Sequence, residues 1–340
     1  MPPDLFPALV LPRTPAPRTD LLLPLPGAPA GPLAAAGYHV LERRDAAGAV
    51  EQRGILGSLS LHGVETGHIL RHQRAGEPGT ALHSRLLRER GGIDEPLLLA
   101  APDLGSFEDC VERTVKGAPV QEVETPEGGV QRLWVCDASW TDDPPALPPV
   151  LLADGHHRLE AARRLRRTHP GAVSDRLPAL VVDHRRFPLT LAATHRIVPG
   201  LDALRAVRAA ERVALVAERP ARPRRTPRAG TFLLTGGDRV WELSEISPAA
   251  LAGRLRSLPP EWVELPAAIS DHVVLPALCE DQGIVPRLRY TAGHPGPDEV
   301  GLVLPPPTWD QIWAGAASGA GMPPKSTSLG PLPIATGWTR

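Results

Sequence analysis

The chain has 340 residues, enough to bury a full core as one large domain or two. Its 42% hydrophobic and 22% charged content is ordinary for a soluble globular protein. With 37 basic against 38 acidic side chains, the net charge of −1 argues against a polyanionic partner held by bulk electrostatics.

No apolar run approaches the ~20 residues of a membrane span, so no membrane association is expected. The Pro-rich, acid-poor start does not read as a signal peptide, and a cytoplasmic protein is expected. Cys110, Cys136 and Cys279 are far apart in sequence and form no C-x-x-C pair, which reads as buried free thiols in a reducing cytosol.

Residues 1–36 read as a Pro-rich, loosely ordered arm. Gly37 to Glu42 and Glu51 to Leu61 predict two strands around a turn at Ala46 to Ala49, and Gly67 to Gln73 extends that sheet. Thr80 to Arg90 predicts a helix ended by Gly91 and Gly92, and Pro96 to Ala101 a short apolar strand. Ser106 is expected to cap a helix carrying Phe107, Cys110 and Val111. Val120 to Glu124 and Val130 to Asp137 form a predicted hairpin.

The stretch Val150 to Leu165, VLLADGHHRLEAARRL, then runs from an apolar strand through Asp154-Gly155 into a helix. Beyond it, Leu177 to Asp183 and Thr190 to Val198 predict strands, and Leu201 to Glu218 a helix with Leu204, Val207, Val213 and Leu215 as its apolar positions. Arg219 to Arg228 is a Pro/Arg loop with no interleaved aromatic residue, which reads as solvated rather than as a nucleic-acid contact. A hairpin is expected around Gly236-Gly237, and Ser247-Pro248 opens a helix. Ser270 to Glu280 predicts another helix, Arg287 to Tyr290 and Val300 to Leu304 strands, and Thr308 to Ala317 a capped helix that releases the chain into MPPKST. Strands and helices mix without a steady β-α-β rhythm, so the expected class is α+β with mixed sheets and packed helices.

Chemistry concentrates in the Asp-Gly-His-His-Arg string. Gly155 permits a sharp turn, and the helix N-terminus behind it directs backbone N–H groups at one spot where an anion is favoured. Arg158 can fork onto phosphate oxygens. His156 or His157 can donate to a phosphate or move a proton near neutral pH. Asp154 can hold a divalent cation such as Mg²⁺ or act as a base. Glu160 and Arg164 are spaced as an intrahelical pair, and Leu159, Ala162 and Leu165 form a buried stripe. The same residues admit a structural reading, with Asp154 as a cap and the histidines packed or facing water. Adjacent helical histidines point about 100° apart, so a shared zinc is disfavoured. Neither a P-loop nor a dinucleotide fingerprint is present. Lys116 and Lys325 are the chain's two lysines against a background of arginine; Lys325 reads either as a position where an ammonium is needed or as a lysine placed there by chance.

Ala153 to Ala162, ADGHHRLEAA, closely resembles the signature of the family known as domain of unknown function 1015. Other segments agree in order: GILGSLSL (Gly54 to Leu61), LRHQ with His72, Arg85, Pro96, ATHRIV (Ala193 to Val198), SDHVVLPAL (Ser270 to Leu278), RLRY (Arg287 to Tyr290) and MPPKST (Met322 to Thr327). The resemblance covers about residues 37–340, divided into a core at 37–200 and a C-terminal α+β part at 201–340. It departs from the family in lacking its N-terminal region within residues 1–36, in Gln73 where the family has Glu, and in Leu159 where it has Tyr. Gln73 can hydrogen-bond but cannot act as a base.

The family is similar to a distant member of the ParB/sulfiredoxin superfamily, whose relatives include free-serine kinases. That resemblance implies a nucleotide such as ATP or ADP as ligand or co-substrate, with Mg²⁺. It implies Asp154, His157 and Lys325 as catalytic residues, and Gly155, His156, Arg158, His195, Arg196, Ser326 and Thr327 as phosphate contacts. His72, Gln73 and Arg85 would line a substrate cleft. The implied activity is phosphate transfer to a small hydroxyl substrate such as free serine; the alternative is a nucleotide-binding regulator or scaffold without turnover. No oligomeric state is implied.

Overall fold

The structure, a computed structural model, describes residues 16–27, 31–90, 95–169, 175–220 and 226–332. The class is α+β with mixed sheets, and the chain divides into two compact units. The first holds residues 1–190 and 329–340, the second residues 191–328.

The first unit is built on a nine-stranded mixed sheet. Its strands are β1 (Leu22–Leu23), β2 (His39–Arg44), β3 (Val50–Ser60), β4 (Ile69–Arg71), β5 (Leu97–Ala101), β6 (Gln121–Glu124), β7 (Val130–Val135), β8 (Val150–Asp154) and β9 (Arg176–Asp183). They lie in the order β4-β8-β5-β9-β3-β2-β7-β6, with β1 pairing β3. The β4–β8 and β5–β9 pairs are parallel, and the other neighbours are antiparallel. β5 is buried along its whole length and β8 from Val150 to Ala153. That explains why both read as unbroken apolar runs rather than as alternating strands.

The helices of this unit are α1 (His62–Glu65), α2 (Glu77–Arg90), α3 (Phe107–Thr114), α4 (Ser139–Asp142) and α5 (His156–Thr168). The predicted stripe Leu159, Ala162 and Leu165 packs in one core cluster with Leu97, Leu99, Val150, Leu152, Phe107 and Cys110.

Strands β10 (Thr190–Ala193) and, near the end, β17 (Thr327–Gly330) contain the points where the chain passes between units. The second unit has β11 (His195–Ile197), β12 (Leu215–Arg219), β13 (Phe232–Gly236), β14 (Arg239–Ser244), β15 (Arg289–Thr291) and β16 (Gly301–Val303). They form an antiparallel sheet in the order β12-β14-β13-β16-β11-β15. Its helices are α6 (Ala203–Ala210), α7 (Pro248–Leu255), α8 (Pro266–Ile269), α9 (Leu275–Glu280) and α10 (Trp309–Ser318). A π-helical turn at Ser270–Val274 joins α8 to α9. Ser247 accepts from the Ala250 N–H, and Thr308 with Gln311 forms a complete capping box, as their sequence positions require.

Five expectations are corrected. The helix expected over Leu201 to Glu218 stops at Ala210, and Leu215–Arg219 is a strand. Its five residues pair with β14, tied by Glu218–Arg239 and Arg219–Glu242 ion pairs. Cross-strand partners thus override the helix propensity of the alanine-rich run. The buried face of α6 is Ala206, Ala209 and Ala210, while Leu204 and Leu215 are exposed.

The strand expected over Thr190 to Val198 is interrupted at Thr194. Ser106 precedes α3 with helical backbone angles and makes no side-chain cap bond. Arg164 does not pair with Glu160; it forms a bidentate pair with Glu77 of α2, at 2.6 and 2.7 Å, and Glu160 takes Arg163 and Arg71 instead. Finally, residues 16–27 of the expected loose arm are packed: Leu21 and Leu22 are buried and β1 pairs with β3. Residues 1–15 and 28–30 of that arm lie outside the described residues, as do Gly91-Gly92 and residues 221–225 of the Pro/Arg loop.

Candidate functional site

The first unit places the Asp-Gly-His-His-Arg string where strand β8 becomes helix α5. Gly155 makes the turn with φ 97° and ψ 20°, in the left-handed region. A Cβ there would stand 2.4 Å from Leu97 Cδ2, so the backbone conformation favours glycine and a larger residue would have to displace the Leu97 side chain. The helix begins at His156, and its first internal bond is Leu159 N–H to the Gly155 carbonyl, at 2.9 Å. The N–H groups of His156, His157 and Arg158 have no backbone acceptor among the described residues, and no side chain caps them. Three donors and the positive end of a thirteen-residue helix are therefore left without a partner at this turn among the described residues.

Arg158 is 7% exposed, and the chain itself occupies its fork. Nη1 donates to the carbonyls of Glu95 (2.7 Å) and Pro96 (3.0 Å), and Nη2 donates to Asp154 Oδ2 at 2.6 Å. The fork expected to reach phosphate oxygens is thus engaged within the chain. Arg158 fastens the entry of β5 to the exit of β8 and holds Asp154 in place. Asp154 is partly exposed, and its Oδ1 has no partner among the described residues.

The two histidines differ. His156 is 9% exposed, and its Nε2 has no hydrogen-bond partner. Its ring meets His72 edge-on at 4.6 Å between centroids. Burial first, then the nearby His72, His157, Arg71 and Arg158, holds its pKa well below the ordinary histidine value, so the ring is neutral at pH 7. His72 on the turn after β4 donates from Nδ1 to the Leu152 carbonyl at 2.8 Å, which leaves its Nε2 as an acceptor. Burial lowers its pKa to about 4. His157 instead packs on α2: a Cβ on Gly79 would stand 2.6 Å from His157 Nδ1, an atom buried without a hydrogen bond. Gly79 was not marked by the sequence reading. A glycine inside the first turn of a helix is the signal that would have found this close approach.

Gln73 follows His72 and is half-buried, whereas Arg85 lies on the exposed face of α2 beside Glu89 at 3.8 Å. Among the described residues no group of three His, Cys, Asp or Glu side chains is placed to hold a metal ion.

The remaining predicted residues belong to the second unit. His195 is buried, accepts from the Leu304 N–H at 3.2 Å and stacks edge-on with His294; burial lowers its pKa to about 4. Arg196 is fully buried. Its Nε and Nη2 bind both oxygens of Asp271 at 2.8 Å, and Nη1 donates to the carbonyls of Thr194 and Lys325. Four of its five N–H directions are thus taken. Arg196, expected as a phosphate contact, spends its fork within the chain and anchors the MPPKST segment. Asp271, the missed partner, lies on the π-helical turn. Lys325 sits at φ 53° with an exposed side chain. Ser326 is buried and closes the turn by donating to the Pro323 carbonyl at 2.7 Å, and Thr327, also buried, starts β17. No helix among the described residues is long and apolar enough to cross a membrane.

These features define a two-unit α+β protein with an anion-suited strand–turn–helix in its first unit. The profile of the family described as "Protein of unknown function (DUF1015)" matches residues 33–265, and the chain belongs to that family. No curated protein sequence matches it. Among solved structures it is similar to SbnI with a C-terminal truncation from Staphylococcus aureus (13% identity, TM-score 0.41), covering 81% of this chain and 82% of that one. It is also similar to a mutant free serine kinase in complex with ADP (14% identity, TM-score 0.41, 81% and 87% coverage). A third is a conserved hypothetical protein from Pyrococcus furiosus (14% identity, TM-score 0.38, 82% and 90% coverage).

Proposed function

We propose that this chain binds a nucleotide such as ATP or ADP, or another phosphorylated small molecule, with a phosphate at the N-terminus of α5. We further propose that it transfers phosphate to a small hydroxyl substrate such as free serine, on a ParB/sulfiredoxin-like core. The observation that carries the binding reading is the set of N–H groups of His156, His157 and Arg158 without a partner among the described residues, behind a left-handed Gly155. A phosphate oxygen completes those donors and meets the positive helix end. Neutral His156 stands beside them with a hydrogen-bonding atom unspent.

Arg158 contributes by fixing the turn and presenting Asp154. Mg²⁺ keeps several waters and takes one or two carboxylates plus phosphate oxygens. Asp154 Oδ1 fits one such position. In this reading the ion neutralises phosphate charge, and the chain's own residues position the reacting groups.

A second reading, binding without turnover, is favoured by Gln73, which cannot serve as a base, and by the Asp154 oxygen already committed to Arg158. Calorimetry with ATP and ADP in the presence of Mg²⁺, followed by a radiolabelled transfer assay with serine, tests both. Binding with turnover that Asp154→Asn abolishes supports the phosphotransferase. Binding without turnover supports the regulator. No heat with either nucleotide refutes the phosphate site.

A further inference from the structure

The second unit carries two adjoining cavities beside its edge strand β15. One, of about 520 Å³, is lined by Ile197, Arg289, Tyr290, Thr291, His294 and Glu299. The other, of about 280 Å³, shares Ile197, Arg289 and Glu299 with it. Its further lining includes Val198, Pro199, Leu201 and Val300, together with Asp298. The first chamber is thus mainly polar and the second largely apolar. An Arg289–Glu299 ion pair belongs to both.

The segment 292–299, which supplies His294, Asp298 and Glu299, is fastened to the sheet. The His294 ring meets His195 of β11 edge-on at 5.4 Å between centroids. Pro295 lies so close to Gly301 of β16 that a Cβ there would stand 2.5 Å from Pro295 Cγ. The Gly293 N–H donates to Thr291 Oγ1 at 3.1 Å, and the Gly296 N–H to Glu299 Oε2 at 2.8 Å. That N–H first, and then Arg289, holds the Glu299 carboxyl below the usual carboxylate range, so it is charged at pH 7. Glu299 is therefore fixed by its own loop, whereas Arg289 reaches it with an exposed, flexible side chain. An ion pair of this kind adds little to stability and opens at small cost.

We propose that these chambers bind a free α-amino acid with an apolar side chain. Its carboxylate takes the Arg289 guanidinium and its ammonium takes Glu299, so the ligand replaces the ion pair charge for charge. Asp298, in the lining of the apolar chamber, adds negative charge on the ammonium side. The ligand side chain enters among Val198, Pro199, Leu201 and Val300, where apolar surface leaves water. A plain carboxylate would separate the pair and leave Glu299 without a cation, and a plain amine would leave Arg289 without an anion. A zwitterion satisfies both. A polar side chain would lose its water against the apolar wall and gain no partner there, which disfavours serine at this place. Such binding is independent of any phosphate at α5.

The test uses the full chain with leucine, isoleucine, valine and phenylalanine at millimolar concentration, read by saturation-transfer NMR and then by calorimetry. At least one should bind, and serine should bind about tenfold or more weakly. The N-acetyl and amide derivatives of the amino acid that binds, each lacking one of its charges, should also lose about tenfold or more. Arg289→Gln and Glu299→Gln should each cause a loss of the same order, with an unchanged thermal melt. The proposal is overturned if none of the four amino acids binds, or if serine binds equally well. It is equally overturned if a derivative blocked at either end binds as tightly as the free amino acid, or if both folded variants bind it unchanged. If neither variant folds, the blocked derivatives decide alone.

Discussion

Lowering the pH from 7 to 5 should destabilise the first unit more than the second. His39, His72 and His184 in the first unit and His195 in the second are buried, and burial lowers each pKa from 6.5 to about 4. Their hydrogen bonds suit the neutral ring: His184 Nδ1 accepts from the Leu189 N–H and His195 Nδ1 from the Leu304 N–H. Above pH 6.5 these rings are neutral in both folded and unfolded chains and contribute no pH dependence. Between pH 6.5 and about 4 the unfolded chain binds more protons, so stability falls as the pH falls.

At pH 5 a shift from 6.5 to 4 amounts to about 2 kcal/mol per ring, hence about 6 kcal/mol for the three in the first unit and about 2 kcal/mol for the second. A folded domain holds roughly 5–15 kcal/mol in all, so the first unit should come close to unfolding. His156 acts in the same direction. Hydrogen exchange read peptide by peptide at pH 7 and pH 5 measures the loss in each unit. Introducing His39→Leu should recover about 2 kcal/mol at pH 5, the share of one ring. Protection in the first unit that changes by less than about 1 kcal/mol between the two pH values would refute the reasoning.

Further outcomes follow from single contacts. Gly155→Ala should cost about 2–4 kcal/mol in urea unfolding, from the left-handed backbone plus the overlap with Leu97, whereas Gly237→Ala, at φ 64° in open space, should cost only about 1–2 kcal/mol. Asp271→Asn removes the counter-charge of the fully buried Arg196 and should lower stability by about 3 kcal/mol, read as a reduced denaturation midpoint. Gly79→Ala should destabilise the unsubstituted protein because its methyl meets His157. In a His157→Ala background the same change should stabilise by up to about 1 kcal/mol, a sign reversal that a double-mutant cycle detects.

Much of the fold was legible because local signals and tertiary structure agree. The apolar runs of β5 and β8, the hairpin β13–β14 and the caps at Ser247 and Thr308 each follow from residues close in sequence. The helix misread at Leu201 to Glu218 shows where that stops. The strand Leu215–Arg219 is held by partners at 239–244, and no periodicity within the segment itself reports them.

The candidate site divides in the same way. The Gly155 turn is written in five consecutive residues. The use of Arg158 depends on the Glu95 and Pro96 carbonyls, some sixty residues away, and that of Arg196 on Asp271 and Lys325. A guanidinium looks the same in sequence whether its fork meets a ligand or the backbone. Only the burial of both arginines separates the two uses.

The first unit ends where the second has already been made. The Gln52 side chain donates to the Pro331 carbonyl at 2.8 Å, and Arg43 donates to the Leu332 carbonyl at 3.3 Å. During synthesis the strands carrying Gln52 and Arg43 therefore wait, without these acceptors, until residues 191–328 have left the ribosome, a delay of roughly 7–28 s at ordinary translation rates. A nascent chain stalled inside the second unit would present a nearly finished sheet with two unfilled donor positions. That gives a ribosome-bound intermediate a chemical mark that the released protein does not carry.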